Sequence, residues 1–305
     1  MNKNPWGPLF GGEQVWAGRG AAHHPQTPGF SLWRPGDPVS VQKIRIGTSG
    51  YSFRDWIGPF YPPGTRPAEM LPFYASCFPA VELNVTYYRL PHANTFSRIE
   101  NKTPKGFEFF VKLQSDLTHK RGYNPSAIEA FLEAIQPLRQ AGKYIGALAQ
   151  FPWSFRRTRE NQKYLEWLGS RFPARPLVIE FRHDSWAGEE TFQLLKNSDL
   201  DFCSVDEPDL RGLFPPMARR TAAIGYIRLH GRNKKDWWTG QGSERYNYLY
   251  SKDELQEWVD KIRELADQSE KTYVFFNNCH AGHAVQNAQY LAALLQGEGD
   301  FFNPI

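Results

Sequence analysis

Four short stretches of the chain carry polar residues two apart within apolar runs. They are Val81-Glu82-Leu83-Asn84, Ile179-Glu180-Phe181-Arg182, Cys203-Ser204-Val205-Asp206 and Ile227-Arg228-Leu229-His230. If each is the end of a β-strand, alternate side chains share a face. Glu82 then sits with Asn84, Glu180 with Arg182, Ser204 with Asp206, and Arg228 with His230. Corresponding runs add Lys112, Gln150 and Asn277 or its neighbour Asn278. Collected around one centre, these groups have a definite chemistry. Lys112, Arg182 and Arg228 offer fixed positive charge to a phosphate or carboxylate, the arginines through bidentate geometry. Glu180, Asp206 and His230 are the candidates for proton transfer. Asn84, Gln150 and Asn277 would orient hydroxyls or amides, Glu82 would join them in binding the substrate, and Tyr51, in a loop after the first run, would line the rim. A second reading makes Glu180, Asp206 and His230 oxygen and nitrogen ligands of a divalent metal. A third is purely structural: three acids and three cations neutralise one another, because buried charge is costly unless paired.

Such a set needs a scaffold that brings many strand ends to one place. β-rich runs are expected at 44–48, 80–85, 107–113, 144–150, 177–182, 200–205, 224–229 and 272–277. Helical patterns fall between them at 67–78, 93–101, 125–141, 160–171, 189–197 and 252–268, with a last one at 284–295. Pro67 and Pro125 suit a first helical turn, and Ser251 with Glu254 resembles a capping box. Only 207–223 lacks a helical pattern, and its three prolines (Pro208, Pro215 and Pro216) predict an irregular loop. Strands alternating with helices imply a parallel sheet. Eight such units in about 255 residues match a single (β/α)8 TIM barrel, whose active sites form at the C-terminal ends of the strands. An open doubly wound sheet is the alternative. Against it, GTSGYS after the first run lacks the GxGxxG spacing, and no GxxxxGK[ST] occurs. No organic cofactor is therefore called for.

Composition narrows the classes further. The 305 residues carry a net charge of +4, with 41% hydrophobic and 22% charged residues, which excludes wholesale disorder. No apolar run approaches the length of a membrane span. The first residues show no basic-then-apolar signal pattern, and three isolated cysteines (Cys77, Cys203 and Cys279) form no disulfide set. A cytoplasmic protein is the expectation. Residues 1–42 hold 7 Gly and 6 Pro together with Trp6, Trp16 and Trp33. They read as an irregular arm docked through its indoles, with 43–305 as the barrel domain. From Arg211 to Lys235 run seven cations (Arg211, Arg219, Arg220, Arg228, Arg232, Lys234 and Lys235) followed by Trp237 and Trp238. This is the feature that admits a nucleic-acid partner; its plainer reading is a solvated loop balanced by the acidic 253–267 helix. His280 and His283 have a ligand-like spacing that reads as surface histidines. Cys203 falls on the expected outer face of its strand, as packing. The oligomeric state is left open.

Longer motifs point to one family. GTSGYSFRDWIGPFYP (47–62), VELNVTYYRLP (81–91), FVKLQSDLTHKR (110–121), AQFPWSF (149–155), VIEFRHDSW (178–186), SVDEP (204–208), YIRLHGR (226–232) and FFNNCHAGHAVQNA (275–288) occur in order. Over roughly residues 43–297 the chain resembles the YecE-like TIM barrels, domain of unknown function 72. The resemblance implies a barrel close in architecture to endonuclease-IV-like and xylose-isomerase-like proteins. It implies no settled reaction. The N-terminal arm is the departure from the family pattern. The reading that follows is an enzyme for a small anionic or phosphorylated substrate. A metal-dependent phosphodiesterase or isomerase and a non-catalytic nucleic-acid-binding module are the alternatives.

Overall fold

A computed structural model describes residues 43–87, 89–240 and 244–297. The expected arm, 1–42, lies outside the described residues. Eight strands close into one parallel barrel in chain order: β1 (Ile44–Ser49), β2 (Ala80–Leu83), β3 (Glu108–Lys112), β4 (Tyr144–Gln150), β5 (Leu177–Glu180), β6 (Asp201–Asp206), β7 (Gly225–Leu229) and β8 (Thr272–Phe276). The expected (β/α)8 TIM barrel is what forms. Helices α1 (Pro67–Cys77), α2 (Ala93–Glu100), α3 (Pro125–Ala134), α4 (Gln136–Gln140), α5 (Arg159–Arg171), α6 (Glu189–Asn197), α7 (Lys252–Gln268) and α8 (His283–Leu295) fill the connections. The link between β6 and β7 is irregular, as its prolines require.

Helix starts follow local chemistry. Pro67 and Pro125 occupy first turns, and Asn124, Thr158 and Ser251 accept bonds from backbone N–H groups that have no partner within the helix. Ser251 and Glu254 form the reciprocal capping box. The single helix expected at 125–141 is two: the chain departs from it at Ile135, and Pro137 enters the first turn of the next. A proline nitrogen cannot donate to the preceding turn, so the break sits where Pro137 would interrupt the ladder. Among the described residues no helix is long and apolar enough to cross a membrane.

Inside the barrel the middle layer is aromatic. Phe110 of β3 meets Tyr226 of β7 and Tyr273 of β8 edge-on, with ring centroids 4.8 and 4.7 Å apart, and Phe275 at 5.9 Å. Gly146 of β4 makes room, since a Cβ there would lie 2.7 Å from the Phe110 ring. Toward the N-terminal end, Lys271 donates to Glu108 at 2.5 Å and Arg45 lies 3.7 Å from the same carboxylate. The rings are therefore a floor, with a charged plug at one end and the strand C-termini at the other.

Candidate functional site

Tyr226 joins the floor to the polar layer, its hydroxyl donating to Glu82 Oε2 at 2.7 Å. From Glu82 a zigzag of alternating charge crosses the barrel. Arg228 donates to Glu82 Oε1 at 2.7 Å and to Glu180 Oε2 at 2.6 Å. Arg182 donates to the other Glu180 oxygen and, at 3.0 Å, to Glu207 Oε2. The Phe214 N–H occupies the remaining Glu207 oxygen at 3.0 Å. Glu82 and Glu180 are wholly buried, Arg228 almost so, and Arg182 is 9% exposed. The two deeper acids thus lie beneath the cations, and the network presents Arg182 toward solvent.

Burial by itself would raise the Glu180 carboxyl, but the Arg182 and Arg228 guanidiniums outweigh it and hold it well below the ordinary range. At neutral pH it is an acceptor and not a proton donor. Glu207 behaves differently. Burial pushes it up to about 7 against the opposing pull of Arg182, which places it in the range of a usable acid or base.

His230, one residue beyond β7, is wholly buried. Asn277 presents its amide nitrogen to Nδ1 at 3.0 Å, which makes Nδ1 the acceptor and leaves the ring proton on Nε2. Nε2 faces Glu180 Oε1 at 3.4 Å, too long for a well-formed bond, and has no other partner among the described residues. Burial and the neighbouring Arg182 pull this imidazole down to about 3, so it is neutral. Asn84 ends its run with a buried Oδ1 that likewise lacks a partner.

Lys112 closes β3 at the mouth. Its ammonium donates to the neutral Gln150 Oε1 at 2.8 Å and lies 4.6 Å above the Tyr87 ring. The Gln150 amide is itself held by the Phe151 carbonyl at 2.8 Å. Burial, reinforced by Arg228, pulls the Lys112 amine down to about 7. The loop between β7 and α7 supplies a roof: Arg182 lies 5.8 Å from the Trp237 ring, and Tyr246 stands 6.3 Å from His230.

The structure brings Glu82, Glu180, Arg182, Arg228 and His230 into one network and sets Asn277 and the Lys112–Gln150 pair around it. It does not bring Asp206 there. The expected face of β6 is inverted: Cys203 lies inward, 3.9 Å from Glu180 Oε2, while Ser204 accepts from the Arg219 N–H outside the barrel. The Asp206 carboxylate takes bonds from Arg232, Tyr250 and Trp258 at 2.7–3.2 Å, on the side of α7. Every residue of β6 is buried, so apolar and polar residues carry no information about which face is inward. The metal set Glu180, Asp206 and His230 is consequently not assembled. Among the described residues no group of three or more His, Cys, Asp and Glu is arranged to hold a metal ion.

Tyr51 packs 6.2 Å from Tyr74 of α1, and Asn278 braces the roof loop by donating to the Tyr248 carbonyl at 2.8 Å. Trp56 and Tyr61 of the first loop are fully buried, which makes them packing and not a stacking rim. The seven cations from Arg211 to Lys235 share no face. Arg228 is inside the barrel, Arg232 is bound by Asp206 and Glu257, and Arg219 packs on Phe192 of α6. Trp237 is buried and Trp238 is 51% exposed. Sequence reading missed Glu207, Tyr226 and the roof residues Trp237 and Tyr246 as members of the site. Glu207 directly follows the β6 run in SVDEP, so reading one residue further past the strand end would have found it.

The profile described as "Protein of unknown function DUF72" matches residues 45–303. The chain belongs to the DUF72 family. Among its relatives is the UPF0759 protein YunF of Bacillus subtilis, 33% identical over 272 residues, covering 84% of this chain and 95% of that one. A DUF72 family protein of Thermotoga maritima has a solved structure with 42% identity and a TM-score of 0.78, covering 83% of this chain and 99% of that chain. One from Enterococcus faecalis has 27% identity and a TM-score of 0.74, covering 83% and 95%. The YecE-like resemblance is the same family, and in this DUF72 chain the charged zigzag spans the barrel beneath the strand C-termini.

Proposed function

We propose that the C-terminal mouth of this DUF72 barrel binds a small anionic molecule and acts on it as an enzyme. One observation carries the reading: Lys112, half-buried at the end of β3, is paired with a neutral amide, while the wholly buried Glu82 and Glu180 are already taken by arginines. A phosphate or carboxylate entering the mouth gains Lys112 and the outer edge of Arg182 without displacing a buried carboxylate. Gln150, Asn84 and Asn277 contribute amides around it; the unpartnered His230 Nε2–H gains an acceptor, and Asn84 Oδ1 is open to a hydroxyl of the same molecule. His230, with its open Nε2, is the candidate for proton exchange with a bound molecule; Glu180 and Glu207, whose oxygens are already engaged, hold the arginines in position. The three free thiols suit a reducing, cytoplasmic setting.

Inorganic phosphate or sulfate, titrated at low ionic strength, should raise the melting temperature in a saturable manner. Lys112→Met should remove that rise, and Lys234→Met, on the exposed roof loop, should leave it unchanged. Equal shifts in both variants would overturn the reading.

A further inference from the structure

We infer that Lys112 is an amine nucleophile that forms an imine with the carbonyl carbon of a small anionic aldehyde or ketone held in the mouth. The inference rests on the anion-binding reading and adds the reacting group. Lysine at its ordinary ionisation is a poor nucleophile and becomes a good one when desolvated beside other cations. Lys112 has both conditions. Arg228 on β7 and Arg182 on β5 act on it with like charge, only partly offset by Glu180 and Glu82. Its neighbour His119 is itself held down, to about 4, by burial and then by the Lys112 charge. At about 7 for this amine, roughly half is free base at neutral pH, against about one in 3,000 for an ordinary lysine.

Geometry supports the same role. Lys112 ends a barrel strand, on the face where barrel active sites form, and its amine is positioned by Gln150 and the Tyr87 ring. Among the described residues the amine's one hydrogen bond is to Gln150 Oε1, which positions the nitrogen without holding it as an ammonium, as a carboxylate would. In the step itself the nitrogen lone pair attacks the carbonyl carbon and the C–N bond forms. The carbonyl oxygen then leaves as water with both amine hydrogens, giving the C=N bond. Nothing is oxidised or reduced. Arg182, whose charge acts on the Lys112 amine, is the cation left to hold the anionic group of the same molecule once Lys112 has become the imine nitrogen.

The test treats the full chain with glyoxylate, glycolaldehyde phosphate or acetaldehyde at matched concentration, with cyanoborohydride to reduce any imine, and maps the modified lysines by peptide mass. At pH 7 Lys112 should be modified at least about tenfold faster than any other lysine by the two anionic aldehydes. Its rate should level off above about pH 7, while the other lysines keep gaining toward pH 10. Modification of Lys112 by acetaldehyde at an equal rate would uphold the amine and overturn the anion reading. If Lys112 reacts no faster than surface lysines while phosphate still raises the melting temperature, the imine inference fails and the anion reading stands. Site mapping on the unaltered protein keeps the test independent of whether Lys112→Met folds.

Discussion

Glu180 receives Arg182 and Arg228 on its two oxygens and faces His230 on a third side, all away from solvent. Removing its charge leaves Arg228 with Glu82 and Arg182 with Glu207, and the buried pair of guanidiniums loses the carboxylate that they share. Glu180→Gln should therefore cost about 3–5 kcal/mol of stability in urea unfolding; a loss below about 1 kcal/mol would mean that the network relaxes or admits water. His230 and Lys112 carry the pH dependence, with windows set by opposite ends of the scale. His230 is neutral in the fold down to about 3, whereas in the unfolded chain it protonates near 6.5. Its contribution is present above 6.5 and is lost as pH falls toward 3, by at most about 1.4 kcal/mol per pH unit. His230→Asn should flatten that acid limb. Lys112 binds its proton near 7 in the fold and near 10.5 when unfolded. Between those values the unfolded chain holds more protons, so stability rises with pH. Lys112→Met should abolish that rise and leave the acid limb intact, which urea melts at a series of pH values would check.

The roof loop between β7 and α7 is held at its root, and Asp206 is the anchor. Its carboxylate takes Arg232 at 2.8 Å, the Tyr250 hydroxyl at 2.8 Å and the Trp258 indole at 2.7 Å; Tyr250 also accepts from the Gly231 N–H at 2.8 Å. Gly231 itself sits at φ 90°, and a Cβ there would lie 2.7 Å from Tyr248. Asp206→Ala leaves the buried Tyr250 and Trp258 donors without an acceptor and Arg232 with Glu257, and should cost about 2–4 kcal/mol. Hydrogen exchange should show lost protection at 231–240 and 248–250, with β2 and β5 unchanged; uniform loss across the barrel would make Asp206 a general core residue. This strand also marks where sequence reading stops. Barrel count, order and helix caps were legible because they depend on local period and on residues such as Pro67 and Ser251. Glu82, Glu180, Arg228 and His230 were legible because an ionisable group flanked by apolar neighbours has one economical direction. The face of β6 was not, since a strand buried on both sides accepts either orientation, and Asp206 finds its donors in α7 and in Tyr250, residues distant in sequence. The separation of Trp237 from Trp238 into buried and exposed rings was hidden for the same reason.

The whole molecule divides along the barrel axis into two charged ends on either side of an aromatic floor. Phe110, Tyr226, Tyr273 and Phe275 separate the plug of Glu108, Lys271 and Arg45 from the mouth. The 15% aromatic content of the chain is in part this partition. In a barrel the N-terminal face serves stability, and function gathers at the C-terminal face. If the floor insulates the two, each end should fail in its own way. Glu108→Gln loses its ion pair with Lys271, but the Lys271 side chain is exposed enough for water to take over, so the expected cost is about 1–2 kcal/mol. Its phosphate-induced rise in melting temperature, measured from the lowered baseline, should match the unaltered protein. Lys112→Met should show the converse, a baseline at neutral pH no lower than that of the unaltered protein, because the cost of the displaced proton is gone, and no phosphate response. Gly146→Ala strikes the floor itself, pressing a methyl onto the Phe110 ring and the Pro176 carbonyl, each 2.7 Å away, for about 1–3 kcal/mol. Because Tyr226 carries Glu82 on its hydroxyl, a displaced floor should shift the polar layer too. Gly146→Ala is thus the one variant of the three expected to lower both stability and phosphate binding; an unchanged phosphate response in it would mean that the rings fill space without positioning the charges above them.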